Sequence, residues 1–372
     1  MERLGIFVLY DKSGIADRYI DYSLKALGEL CKEIVLIVNG RIRPSDLRRI
    51  EGYITDAYVR NNEGFDAGAY KDALLKFIPY DKWKHYDEVV LLNDTFFGPV
   101  FPLLDIWNKV KEDDADFWGI TRHPKIVLNN GKLINSHVQS FFLVIRKRML
   151  QSCDFLKYWK NLSYPVDYQS TIDTFELNFT QYFENKGFRS KTITDDIDNS
   201  YVGNPYLYNS YQLILENKLP FFKKRCLTFE GQWYDDTLKA LDYIGKNSEY
   251  DLNLIWENIS RLCKEERFES ILNYYALEKF YENHKRIFIY GAGKYGKRMQ
   301  KYFQCREWKF EKFLVSDNIN EDKECSNYSG EHFEKTDGII LALGRAATQE
   351  VLDEIEHEFE QGQLFVFQFD RG

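Results

Sequence analysis

No stretch of this sequence reaches the roughly 18 consecutive apolar residues that a membrane-spanning helix needs. The short run Leu4 to Tyr10 near the start ends at Asp11, which suits a buried strand rather than a signal peptide. A soluble or peripheral protein of the cytoplasm is expected. Cysteine is sparse: Cys31, Cys153, Cys226, Cys263, Cys305 and Cys325 are scattered, and no two stand at the CxxC spacing of a zinc knuckle. They read as free thiols in a reducing compartment. Proline (8) and glycine (22) are too few among 372 residues for a collagen-like chain. Positive charge is in deficit, with 50 basic against 58 acidic residues and a net charge of −8, which argues against nucleic acid as a partner. A small nucleotide held by local dipoles or a metal stays allowed. A hydrophobic share of 44% excludes wholesale disorder. Tyr (26) and Phe (28) are plentiful, and such rings line sugar and nucleotide sites as well as cores.

The first third alternates strand and helix patterns. Leu4 to Tyr10, Ile34 to Val38 and Glu88 to Leu92 are apolar runs of the kind that form strands covered on both faces; Tyr53 to Val59 is a weaker one. Ile20, Leu24, Leu27 and Cys31 recur at helical spacing, and Asp66 to Phe77 reads as a helix. Ser140 to Ile145 is a further strand, and a helix is expected near Thr174 to Phe183. This order predicts an α/β fold with a mainly parallel sheet and ligands at the carboxyl ends of the strands. Residues 205–284 read as a helical connector or subdomain, and the strand–helix signal restarts at Lys285. The expected domains are therefore 1–204, 205–284 and 285–372.

Polar residues stand where the best strands end: Asp11, Asn39 and Asn93-Asp94. Each could equally be a turn or cap residue. The segment Asn62-Glu63-Gly64-Phe65-Asp66-Ala67-Gly68 follows a strand and opens a helix; its glycines expose backbone while Asn62 and Asp66 offer hydrogen bonds to a polar ligand, or Asp66 simply caps the helix. Asp94, followed by Gly98-Pro99, could hold a divalent cation such as Mg or Mn, although one carboxylate and an amide are a thin ligand set. His137 and Gln139 flank Val138 on an extended segment, face the same side and could meet sugar hydroxyls, or His137 is structural.

The segments Asn62-Glu63-Gly64-Phe65-Asp66, Leu92-Asn93-Asp94-Thr95 with Phe97-Gly98-Pro99, Phe117-Trp118-Gly119-Ile120-Thr121 and Gln139-Ser140-Phe141-Phe142 occur in that order. Glu176-Leu177-Asn178-Phe179-Thr180, Gly187-Phe188 and Pro220-Phe221-Phe222-Lys223 follow. Together they resemble the rhamnan synthesis protein F family of bacterial cell-surface polysaccharide glycosyltransferases, over roughly residues 1 to 230. The resemblance implies a GT-A-like nucleotide-sugar-binding domain. It also implies transfer of a sugar from an NDP-sugar, dTDP-rhamnose or similar, to a growing glycan or lipid-linked glycan. Asp11, Asn39, Asn62 and Asp66 would then line the nucleotide pocket, with Asn93-Asp94-Thr95 in place of the DxD motif. Trp118, His137 and Gln139 would lie near donor sugar and acceptor. The single carboxylate leaves metal dependence open.

An inverting transferase needs a base for the acceptor hydroxyl and a group that stabilises the departing diphosphate. Asp173 and Glu176, at i and i+3 on the expected helix, project to one face. Glu176 is favoured as the base because it falls in the family-like segment; Asp173 is the alternative, and a solvated helix face is the bland reading. Asp94 with a metal, or Arg60 or Arg122, would meet the diphosphate. Lys223-Lys224-Arg225 beside Phe221-Phe222 suits contact with an anionic membrane surface, or else forms a solvated basic turn.

Gly291-Ala292-Gly293-Lys294-Tyr295-Gly296 satisfies GxGxxG between a strand and a helix, and Asp317 ends the next expected strand. These residues could bind a dinucleotide. The unit is small and lacks obvious hydride-transfer residues, so a Rossmann-like interaction or vestigial nucleotide module is expected rather than an NAD(P) site. The competing functions are an NAD(P)-dependent sugar-modifying oxidoreductase and a non-catalytic nucleotide-sugar-binding protein.

Overall fold

The computed structural model describes residues 1–127, 131–195, 204–228, 234–316 and 324–369. The chain divides into two compact units, Met1–Leu262 and Cys263–Gly372.

The first unit is built on seven strands. They are β1 (Arg3–Tyr10), β2 (Glu33–Asn39), β3 (Asp56–Arg60), β4 (Glu88–Asn93), β5 (Phe117–Gly119), β6 (Phe142–Arg146) and β7 (Ser190–Thr192), laid side by side in the order β7-β5-β6-β4-β1-β2-β3. β1 runs parallel to both β2 and β4, and β2 parallel to β3. β6 is antiparallel to β4 and β5, while β7 returns parallel to β5. The parallel part accounts for the continuous apolar runs: Leu4, Ile6 and Val8 of β1 are fully buried on one face, with Phe7 and Leu9 almost as deep on the other. β3 is a half-exposed edge strand, which is why its sequence signal is weak. The expected α/β class with a mainly parallel sheet is thus realised in this unit.

Helix α1 (Arg18–Gly28) covers one face through Tyr19, Ile20, Leu24 and Leu27, a stripe at i, i+1, i+5 and i+8. Helix α2 (Phe65–Asp72) turns Ala67, Ala69 and Tyr70 inward, in one core with Ile6, Val8, Ile37, Leu91, Phe117, Leu143, Phe175 and Phe179. Two wide turns interrupt helices here. Ile78 N–H donates to Ala73 O at 2.9 Å, and Leu177 N–H donates to Ile172 O, in each case five residues back. The second wide turn, Ile172–Glu176, leads directly into α3 (Leu177–Glu184). The helix expected near Thr174 is therefore present but not regular.

The stretch from residue 205 is no separate connector. Phe222–Lys223 pairs antiparallel with Phe96–Phe97, and α4 (Tyr234–Asn247) and α5 (Asn253–Leu262) belong to the first unit. The division falls after Leu262 because the next helix, α6 (Glu265–Asn283), packs Leu277 and Phe280 into the core of the second unit.

That second unit holds an all-parallel sheet of β8 (Arg286–Tyr290), β9 (Phe313–Val315), β10 (Cys325–Asn327), β11 (Asp337–Leu341) and β12 (Leu364–Val366), ordered β10-β9-β8-β11-β12. Helices α7 (Lys294–Cys305) and α8 (Arg345–Ile355) complete it. Ile287, Ile289 and Ile340 face one core, and Phe288, Tyr290, Ile339 and Leu341 the other, so both faces of the sheet are covered. The Rossmann-like reading of this unit agrees with the strand order. Strand β10 carries Cys-Ser-Asn rather than β-branched residues and gave no signal in the sequence.

Candidate active site

Strand β4 is flanked by β1 and β6, and Asp94 N–H continues the ladder by donating to Val8 O at 3.1 Å. This sets Asn93 and Asp94 at the carboxyl rim of the sheet. Asn93 works in two directions. Its Oδ1 accepts from Thr95 N–H (3.2 Å) and Thr95 Oγ1 (2.6 Å), and its Nδ2 donates to Asp66 Oδ2 at 2.7 Å. Asp66 sits in the first turn of α2, which begins at Gly64 and Phe65 with φ of 74° and 51°. Gly68 in the same helix is obligatory: a Cβ there would lie 2.2 Å from Glu63 O. The glycines thus let the loop close tightly enough to carry Asp66 to Asn93.

A pocket of ≈ 520 Å³ opens at this rim. Its walls include Tyr10, Asn93, Asp94 and Thr95 from the strand ends, Asp66 from α2, Gln139 to Phe141 before β6, Thr171, Ile172, Phe175 and Glu176 at the wide turn, and Lys223 to Arg225. The last run is delivered by the pairing of Lys223 with Phe96 and by Lys224 N–H donating to Thr95 O at 3.1 Å. Below it Phe96 stacks on Phe141 with ring centroids 3.7 Å apart.

Charges of both signs meet here. Lys224 Nζ is 3.4 Å from Asp94 Oδ2 and donates to Tyr19 OH, which is itself 3.5 Å from that carboxylate. Burial pushes the Asp94 carboxyl up, and Lys224 only partly offsets this. Burial together with the Asp94 charge pushes Asp66 up to about 7. On the opposite wall Glu176 Oε2 accepts from Ser140 Oγ at 2.9 Å, and Oε1 lies 3.5 Å from His137 Nε2. That distance is at the outer limit for a hydrogen bond. His137 Nδ1 bonds Asn135 O at 2.8 Å, so that nitrogen carries the proton and Nε2 is the one facing Glu176. Burial opposes ionisation of Glu176, but His137, Lys223 and Ser140 outweigh it and hold its carboxyl below the usual range. Burial also lowers the amines of Lys223 and Lys224, with Glu176 and Asp94 acting against it.

The sequence profile of the rhamnan synthesis protein F family matches residues 34–315. The chain belongs to that family. The uncharacterized protein y4gN of Sinorhizobium fredii is 24% identical over 189 residues, which cover 50% of this chain and 46% of that protein. The chain thus spans about half the length of this relative. The virulence protein VirA of Vibrio anguillarum is 22% identical over 282 residues, 67% of this chain and 87% of VirA. Among solved structures, a 4-diphosphocytidyl-2C-methyl-D-erythritol synthase from Anaerococcus prevotii covers 51% of this chain and 88% of its own, at 12% identity and a TM-score of 0.32.

Within this family member the structure gathers Asp66, Asn93, Asp94, Gln139 and Glu176 around one pocket and leaves the other expected residues outside its walls. Asp11 accepts from Ser13 N–H, Ile15 N–H and Arg261, forming a turn and an ion pair. Asn39 is fully buried; it accepts from Arg60 and donates to Phe65 O, so it braces the loop that carries Asp66. Asn62 lines a separate cleft of ≈ 500 Å³ with Tyr164, Pro165 and Val166. Trp118 is a core residue, fully buried edge-to-face against Trp107, and no sugar can reach its ring. His137 is 1% exposed and acts from behind Glu176, stacked on His123. Asp173 pairs with Lys132 at 2.8 Å instead of sharing the face of Glu176, because the wide turn replaces regular helical spacing between them. Arg60 is taken up by Asp72 and Arg122 by Asp195, so neither is available to a diphosphate.

Phe221 and Phe222 are buried in the first unit, and Lys223 to Arg225 line the pocket, which removes them from the role of a membrane-facing patch. These cations are the site residues that sequence reasoning missed; the adjoining Pro220-Phe221-Phe222-Lys223 segment was their one signal. Among the described residues no helix is long and apolar enough to cross a membrane. In the second unit Gly291 has φ of 107°, and a Cβ on Gly296 would lie 1.8 Å from Gly291 O, so these two glycines serve close packing of helix on strand. A Cβ on Gly293 would meet nothing within 4 Å. Asp317 lies outside the described residues.

Asp94 itself offers a divalent cation little beyond one carboxylate. Its Oδ2 already faces the Lys224 ammonium, and among the described residues no three His, Cys, Asp or Glu side chains converge closely enough to hold a metal. Hard cations need several oxygen ligands, and at such a site the remainder would have to come from water and the substrate's phosphates.

Proposed function

We propose that the first unit is a glycosyltransferase that moves a sugar, rhamnose or a related hexose, from an NDP-sugar to a cell-surface glycan with inversion. The observation that carries this reading is the rim pocket, in a member of the rhamnan synthesis protein F family, where a carboxylate and a cationic wall stand across from each other. Glu176 is the general base. Its low-lying carboxyl stays ionised at neutral pH, and Ser140 and His137 orient it. It takes the acceptor hydroxyl proton as the acceptor oxygen bonds to the sugar C1. The C1–O bond to the nucleoside diphosphate breaks on the other side, and the electron pair leaves with the diphosphate. Asp94 and Asp66, with Asn93 between them, orient donor hydroxyls, and Gln139 borders the acceptor path.

A panel of dTDP-, UDP- and GDP-sugars tests this by thermal shift and by release of free NDP. One donor should stabilise the protein and be hydrolysed slowly, and faster with a glycan acceptor. If no nucleotide sugar shifts the melting temperature or is turned over, the reading fails.

A further inference from the structure

Resting on that reading, we infer that the donor's diphosphate is held by Lys223, Lys224 and Arg225, in place of a divalent cation at Asp94. The proposal begins with where the amines are. Lys224 Nζ stands 3.4 Å from Asp94 Oδ2, so an ammonium already neutralises the carboxylate that would otherwise draw a divalent cation. Two neighbours fix it there: Tyr19, whose OH accepts from it and whose ring centroid lies 4.4 Å away, and Thr95, whose carbonyl accepts from the Lys224 backbone N–H. Only 14% of its side-chain surface is exposed. Lys223 Nζ lies 5.0 Å from the centroid of the Phe96 ring, whose position is set by stacking on Phe141.

The charge balance of the wall points to an anion. Three cations face Asp66, Asp94 and Glu176. Burial and the neighbouring Asp94 push Asp66 up to about 7, which weakens the acidic side of this balance near neutrality. Both lysines are poorly screened by solvent, and burial weakens their hold on their protons, a condition that an entering diphosphate relieves. A pre-organised cation at the phosphate also stabilises the leaving group as its charge grows, without a metal.

Isothermal titration of the full chain with inorganic pyrophosphate and with dTDP, in EDTA and in MnCl₂, tests this. Both ligands should bind in EDTA, and Mn²⁺ should change their affinity little. Lys224→Met should weaken both by about 10- to 100-fold, the usual loss for one charge-assisted hydrogen bond, and Lys224→Arg should recover part of it. Lys223→Met should act in the same direction, and circular dichroism of each variant separates loss of binding from loss of fold. Binding that vanishes in EDTA and returns with Mn²⁺ overturns the inference. So does equal affinity in a folded Lys224→Met protein. Pyrophosphate binding in EDTA without any nucleotide-sugar turnover would keep the anion seat and remove the glycosyltransferase reading. Turnover that requires Mn²⁺ would keep that reading and remove the seat.

Discussion

Two strand ends in this protein begin alike, since β4 and β8 are both buried strands that run into a polar or glycine-rich turn. At the end of β4 the turn residues face groups drawn from far along the chain: Asp66, Gln139, Glu176 and Lys224 converge on Asn93-Asp94 and enclose a cavity. At the end of β8 the glycines face their own unit. Gly296 is required by Gly291 O, and Gly291 by its left-handed backbone and by Ala342 and Leu343. Two of the three motif glycines, Gly291 and Gly296, are thus accounted for by packing, whereas a carboxylate buried beside another carboxylate and a lysine is not. The unexplained cost of burying charge is the better marker of a site.

The contrast can be broken at its strongest point by Glu176→Gln. This change should lower sugar transfer by about 10²- to 10⁴-fold while donor affinity holds, because only the proton acceptor is lost. A single-turnover assay beside donor titration would show it, and near-normal turnover would remove Glu176 as the base.

A second test sharpens the view of the rim as a place of costly charge. Asp66 is pushed from 3.8 to about 7 by burial and by Asp94. The folded protein therefore keeps a proton that the unfolded chain releases above about pH 4. Stability from this group is complete below that pH and is lost as pH rises towards 7. Asp66→Asn should flatten the decline in urea-unfolding free energy between pH 5 and pH 8 by about 1–3 kcal/mol. Parallel profiles for wild type and variant would contradict the assignment.

The glycine loop answers to a paired substitution. Gly296→Ala should cost about 1–3 kcal/mol through overpacking against Gly291 O, and Gly293→Ala less than about 0.5. Equal melting temperatures for the two variants would end the packing account. A small effect is also expected of Asp173→Asn, which loses one exposed pair with Lys132. It should change stability by less than about 1 kcal/mol, and transfer should stay near the wild-type rate. A large loss of transfer would restore Asp173 as the base.

Much of the architecture was legible because it is local. Apolar runs at β1, β2 and β4, the stripe of α1 and the restart at Lys285 each state burial within a few residues. The short strands β7 and β10 were not legible, since three residues of mixed polarity carry no periodicity. In the site, Asp66, Asn93, Asp94, Gln139 and Glu176 were readable as polar residues beside strand ends or in family-like segments. Trp118 misled because an aromatic ring in such a segment reads the same whether it faces a ligand or the core. Asp173 misled because helical spacing was assumed across a wide turn. Lys223 to Arg225 misled because a basic run looks solvated until its neighbours are known.

Sequence alone was enough to decide that this chain holds two α/β regions, which it separated by an expected helical connector, and that the first presents polar residues at the rim of a parallel sheet. Hydrophobic pattern and strand-end chemistry are written over a few neighbouring residues. Only the tertiary structure decided which of those polar residues share a cavity and which cations meet them. Lys224 and Asp94 stand 130 residues apart in the chain, and their pairing depends on a two-residue strand and a backbone hydrogen bond that no local pattern announces.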